Sequence, residues 1–167
     1  MTRLPDPNQA AIQTRVQTLG TKQPEPPIDV ERIARTLGIQ YSYQPLKNHA
    51  SGFILKREGQ PPVIRIEETD SKRRQRFTFA HELGHYWLHR DDSGDYGYVE
   101  YRGELSTLGT DPAERWANRY AAELLMPASY VLAAWARGDS IQQIQDTLEV
   151  SDAALGHRLV NLGLMRL

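Results

Sequence analysis

Residues 77–89, Phe-Thr-Phe-Ala-His-Glu-Leu-Gly-His-Tyr-Trp-Leu-His, constrain this chain more than any other segment. Phe77, Phe79, Ala80, Leu83, Trp87 and Leu88 make a helix here apolar on most sides, which places it at the centre of the fold. Yet His81, Glu82 and His85 sit in the middle of it. Burying two imidazoles and a carboxylate is costly unless they are paired or bound to a metal. His81 and His85 are four residues apart, so on a helix they share one face, offset by ~40° and one turn. Gly84, inside the same helix, costs about 1 kcal/mol against Ala. A residue without a side chain suits a place where a metal or substrate comes close.

The spacing lets both imidazoles reach one ion, and neutral imidazole nitrogen suits Zn²⁺. Glu82, beside His81, is then placed to take a proton from a water on the metal rather than to ligate it. This is the H-E-x-x-H arrangement of zinc peptidases. The competing reading is a buried helix with two hydrogen-bonded histidines. The chain has no cysteine, so disulfides and thiolate ligands are excluded and any metal is held by His, Asp or Glu. Mn²⁺ or Fe²⁺ fits the same ligands, because availability as well as affinity decides occupancy.

A catalytic zinc takes three protein ligands. The third could come from His89, Asp91, Asp92, Glu104, Glu114 or Glu123. His89 lies about 12 Å from His81 along a helix axis, too far for one ion, and fits the helix C-terminus better. On the helix expected over residues 111–126, Trp116, Ala117, Tyr120, Ala121, Leu124 and Leu125 define a buried arc. Glu114 falls inside that arc and needs a partner; Glu123 lies at its polar edge and needs none. The rival role for Glu114 is a capping-box residue in Asp111-Pro112-Ala113-Glu114. Asn118, one turn on, could hydrogen-bond a ligating histidine or simply face solvent. Tyr96, Tyr98 and Tyr101 are possible oxyanion donors.

Composition adds limits. With 167 residues, 40% hydrophobic and 25% charged, the chain suits one ordinary domain with a small appendage. Its net charge of −1 draws it toward neither nucleic acid nor membrane. No apolar run approaches ~18 residues and the first 20 residues lack a signal-peptide core, so a cytoplasmic location is the default. Helices are expected near residues 9–19, 28–37, 71–89, 111–126, 129–137, 141–148 and 152–162, and strands near 39–43, 52–56 and 62–67. Residues 90–110 read as a long loop with room for a strand at 98–101. The expected fold is α+β: a small antiparallel sheet packed on the central H-E-x-x-H helix and a second ligand-bearing helix, then a C-terminal helical, helix-turn-helix-like subdomain. The expected divisions are a polar segment over residues 1–26, a metallopeptidase domain over 27–127 and the helical subdomain over 128–167. The basic run Lys72, Arg73, Arg74 and Arg76 reads as a solvated turn. The final helix offers His157, Arg158 and Asn161 but begins with Asp152, thin support for DNA binding, so packing or protein docking is the favoured role.

Arg74 to His89, together with Glu114-Arg-Trp-Ala-Asn-Arg-Tyr-Ala-Ala-Glu-Leu-Leu-Met-Pro127, resembles the ImmA/IrrE family of bacterial and phage metallopeptidases. The likeness runs over about residues 27–165. It implies His81, His85 and Glu114 as zinc ligands and Glu82 as general base. It also implies, as substrate or partner, a helix-turn-helix repressor or, in toxin–antitoxin-like pairs, an antitoxin. The family typically has an acid two residues after the ligand glutamate, where this chain has Trp116. The alternatives to a repressor-cutting endopeptidase are a toxin-like component held by such an antitoxin and a non-proteolytic binding module.

Overall fold

Apolar periodicity and local caps set the elements of the computed structural model, which describes residues 3–101 and 111–166. Helix α1 (Pro7–Leu19) starts on the Asp6 cap, and α2 (Val30–Thr36) on Asp29. Strands β1 (Gln40–Gln44), β2 (Ala50–Lys56) and β3 (Val63–Glu67) follow, then α3 (Lys72–His89), which carries the two histidines. Strand β4 (Tyr96–Tyr101) precedes α4 (Pro112–Leu125). Three shorter helices finish the chain: α5 (Ala128–Arg137), α6 (Ile141–Leu148) and α7 (Asp152–Asn161), the last capped by Ser151. The architecture is α+β, as expected, with a helical C-terminal region.

The sheet is mixed rather than purely antiparallel. Its order is β1-β3-β2-β4, with β1 parallel to β3 and the other pairs antiparallel. The burial pattern explains the order. In β3, Ile64 and Ile66 are fully buried, so this strand belongs inside the sheet. Strand β1, Gln-Tyr-Ser-Tyr-Gln, has no wholly buried residue and suits an edge. The segment read from sequence as mostly loop supplies the opposite edge, β4, which pairs with β2 from Tyr96 to Tyr101.

One face of the sheet lies on α3. Gly52 of β2 makes this possible, because a Cβ there would stand 2.5 Å from Thr78 Cγ2. Helix α4 covers α3 from the other side, and α1 packs on α4, where Thr14 Oγ1 and Tyr120 Oη are 2.8 Å apart. Trp116 is buried. Its ring stacks between Trp87 and Tyr120, and its indole N–H donates to the Pro5 carbonyl.

Two expectations from sequence are corrected here. Glu123 is not at a polar edge: it is buried and pairs with Arg15 of α1 at 3.0 Å and with Arg158 of α7. A residue at the margin of one helix's apolar arc becomes interior when two further helices close over it. The basic run at the start of α3 is not merely a solvated turn. Arg73 pairs with Asp146 at 2.6 Å, Arg74 reaches Ser51 and Asp70, and Arg76 donates to the Ile28 carbonyl at 2.9 Å and to the last carbonyls of α6. These cations dock α6, whose C-terminal carbonyls attract positive charge. Arg158, which a DNA-reading helix would need outside, is committed to Glu123 and the Met126 carbonyl.

Removing one member of a buried ionic cluster leaves its partners uncompensated. Glu123→Ala strands the guanidinium groups of Arg15 and Arg158, and is expected to destabilise the protein by roughly 3–5 kcal/mol. Urea unfolding followed by circular dichroism measures this. A midpoint unchanged from wild type would show that the cluster contributes nothing.

Candidate metal centre

Helices α3 and α4 meet almost backbone to backbone. A Cβ on Gly84 would lie 3.1 Å from Ala117 Cα and 3.1 Å from Tyr120 Cδ1. Gly84 therefore serves helix packing, not the approach of a metal or substrate. It is on the α4 side of α3, and the close contact there brings the first turn of α4 over the histidines.

His81 Nε2 and His85 Nε2 lie 3.1 Å apart. The Glu114 carboxylate bridges them, with Oε2 3.0 Å from His81 Nε2 and Oε1 3.0 Å from His85 Nε2. These three residues form a group whose donor atoms all lie within 4.8 Å of one another, the one such group among the described residues. Both histidines are buried, and Glu114 is partly open. Asp111 caps α4 through the Ala113 amide, so the helix start does not require the Glu114 side chain. Of the other ligand candidates, His89 ends α3 and bonds Asp92 at 2.6 Å and Tyr98 Oη at 2.7 Å. Asp91 is exposed, and Glu104 lies outside the described residues.

Asn118 Oδ1 is 2.8 Å from His81 Nδ1. An amide oxygen accepts, so Nδ1 carries the proton and Nε2 faces the ligand cluster. His85 stacks on Tyr98 with ring centroids 4.2 Å apart and planes within 6°. Tyr98 spends its hydroxyl on His89, and Tyr101 lies on the outer face of β4. Glu82 is fully buried, and neither carboxylate oxygen has a hydrogen-bond partner among the described residues. Two unsatisfied carboxylate oxygens beside converging imidazoles fit a site for a cation and a water.

The ionisation of these groups reflects their crowding. Burial pushes Glu82 up to about 8; the His81 charge opposes this, while Glu100 and Glu114 add to it. For His81, burial favours the neutral ring, but hydrogen bonds to Glu100 and Glu114 prevail and hold it at about 10. Burial pulls His85 down despite its contact with Glu114. Burial works against ionised Glu114 too, yet its contacts with both imidazoles keep it well below the usual carboxylate range.

The sequence reading missed Glu100. It is on β4, buried, with Oε2 3.1 Å from His81 Nε2. A strand alternation of Tyr96, Tyr98 and Glu100 against Gly97, Val99 and Tyr101 was available as a signal. Polarity assigns the faces wrongly, since Val99 is 49% exposed and Glu100 is 5% exposed.

The family model described as an IrrE N-terminal-like domain, Peptidase_M78, matches residues 34–160. The chain belongs to this family. No curated protein matches the chain significantly. Membership in Peptidase_M78 makes a peptidase-type, metal-binding domain of the region that carries His81, Glu82, His85 and Glu114. No helix among the described residues is long and apolar enough to cross a membrane.

Two outcomes follow. A metal must displace the proton that His81 holds below about pH 10. Apparent Zn²⁺ affinity, measured by chelator competition, is expected to rise more than about tenfold from pH 6 to pH 8. Asn118→Ala removes the acceptor on His81 Nδ1 and is expected to weaken Zn²⁺ binding by about 10–100-fold, with the fold intact by circular dichroism.

Proposed function

We propose that the protein is a zinc-dependent endopeptidase that cuts a helix-turn-helix regulatory protein. One observation carries the reading: fully buried Glu82, its oxygens unpaired, lies beside the convergent His81, His85 and Glu114. In this reading His81, His85 and Glu114 hold the metal, and Asn118 fixes the His81 ring. When bound there, a divalent metal lowers the pKa of water toward ~7 and polarises the scissile carbonyl.

Glu82 supplies the proton transfer. One of its oxygens takes a proton from the attacking water and delivers it to the leaving amine. Burial makes the ionised Glu82 carboxylate a stronger base than one in water, which suits it to accept that proton and release it again. Strand β4 flanks the site and pairs only with β2 among the described strands. An extended peptide can add to such an edge through its main chain, which suits cleavage within a chain rather than at its end.

The substrate class rests on the likeness to ImmA/IrrE peptidases, which typically act on helix-turn-helix repressors. The chain's own helix-turn-helix-like end, α6 and α7, favours packing or protein docking over DNA, since Arg158 is buried against Glu123.

The test is co-expression with candidate helix-turn-helix regulators from the same genome, read by intact mass. Wild type is expected to yield two fragments. Glu82→Gln is expected to keep its zinc and lose at least about a hundredfold in cleavage rate. An intact regulator beside zinc-loaded wild type would remove this substrate. Equal cleavage by Glu82→Gln would remove Glu82 as the base.

A further inference from the structure

The two histidines of the centre are held in different ways. A histidine that binds a metal almost always bonds through its second ring nitrogen to a carboxylate, a carbonyl or water, which fixes the ring. His81 has such a partner, with Nδ1 2.8 Å from Asn118 Oδ1. His85 Nδ1 is buried and has no hydrogen-bond partner among the described residues. The lone pair on Nε2 lies in the ring plane, so an imidazole free to turn about its χ2 bond would meet an ion poorly. The His85 ring needs another constraint.

Tyr98 of β4 supplies it. The two rings stack with centroids 4.2 Å apart and planes within 6°. Turning the imidazole would drive its edge into the phenol face. Tyr98 is itself fixed at both ends. Its backbone stands opposite buried Ile54 in the β2–β4 ladder. Its hydroxyl is 2.7 Å from His89 Nε2, and His89 Nδ1 is 2.6 Å from Asp92 Oδ2. With Asp92 ionised, His89 Nδ1–H donates to it, and Nε2 of the neutral ring accepts from the Tyr98 hydroxyl. His89 follows His85 by one turn on the same face of α3. The phenol thus rests its face on one histidine and its hydroxyl on the next.

We propose that Tyr98 is a positioning residue for His85, locked in place by His89 and Asp92. It does by stacking for His85 what Asn118 does by a hydrogen bond for His81. His89, too far along the helix to ligate, serves the centre through Tyr98. The proposal rests on His85 as a metal ligand and does not require proteolysis.

NMR and metal binding test this without any cleavage assay. In zinc-loaded wild type, the carbon-bound ring protons of His85 are expected upfield of their ordinary positions, shifted by the Tyr98 ring current. Unshifted protons would overturn the proposal, and this measurement needs no variant to fold. Tyr98→Leu is expected to weaken Zn²⁺ binding by about 10–100-fold by chelator competition. Tyr98→Phe keeps the ring but not the link to His89, and is expected to recover most of that loss without reaching wild type. The visible d–d spectrum of the Co²⁺-loaded protein reports ligand geometry rather than stability. It is expected to change in Tyr98→Leu and to return most of the way in Tyr98→Phe. Unchanged affinity and spectrum in a folded Tyr98→Leu would overturn the positioning role. Tyr98→Phe as weak as Tyr98→Leu would overturn stacking as its basis, and Tyr98→Phe equal to wild type would overturn the lock by His89 and Asp92. A wild type that binds no zinc would instead remove the metal centre itself, and this proposal with it.

Discussion

Gly84 of α3 against Ala117 of α4 is the contact on which the site depends. Two helices ordinarily pack with axes about 8–10 Å apart, depending on the side chains between them. Where one residue has no side chain and the other only a methyl group, the backbones come close enough for a Cβ on Gly84 to press on Ala117 Cα at 3.1 Å. Glu114 lies one turn before Ala117 and His85 directly follows Gly84, so the carboxylate reaches both imidazoles at 3.0 Å. The same proximity brings Asn118 to the far nitrogen of His81. The helical cost of a buried glycine is offset by a close approach that a larger residue would have to push apart.

Charged groups elsewhere in the interior hold the peripheral helices to this pair. Glu123, on α4, accepts from Arg15 of α1 and Arg158 of α7, and its second oxygen also accepts the Ala128 amide at the start of α5. Arg76, on α3, donates to the chain before α2 and to the end of α6. Each central helix thus carries an ionic anchor besides its apolar face. Buried pairs of this kind are weak sources of net stability, but they penalise any arrangement that separates them. They fix how the first and last helices lie on the metal-bearing pair.

The site collects three carboxylates, Glu82, Glu100 and Glu114, around two buried imidazoles. Without compensation such a cluster would oppose folding. Part of the compensation is internal, through the contacts of Glu114 and Glu100 with His81. The rest falls to the orphaned oxygens of Glu82 and Glu100, which point to a cation and water as completing partners. The arrangement is therefore preorganised for a charge that the protein itself does not provide.

The sequence by itself determined most of the elements and most of the candidate site. The four-residue spacing of His81 and His85 places them on one helix face wherever that helix goes, because helical geometry is local. The inward position of Glu114 followed from the arc of Trp116, Ala117, Tyr120 and Ala121 for the same reason. Strand order, the parallel β1–β3 pair, the packing role of Gly84, the burial of Glu123 and the approach of Glu100 were decided only in three dimensions. Each depends on which second element arrives at a given face, and periodicity within one element carries no record of its neighbour. Glu100 shows this most plainly: the alternation of β4 was present in the chain, but only packing against α3 decided that the carboxylate, and not Val99, would face inward.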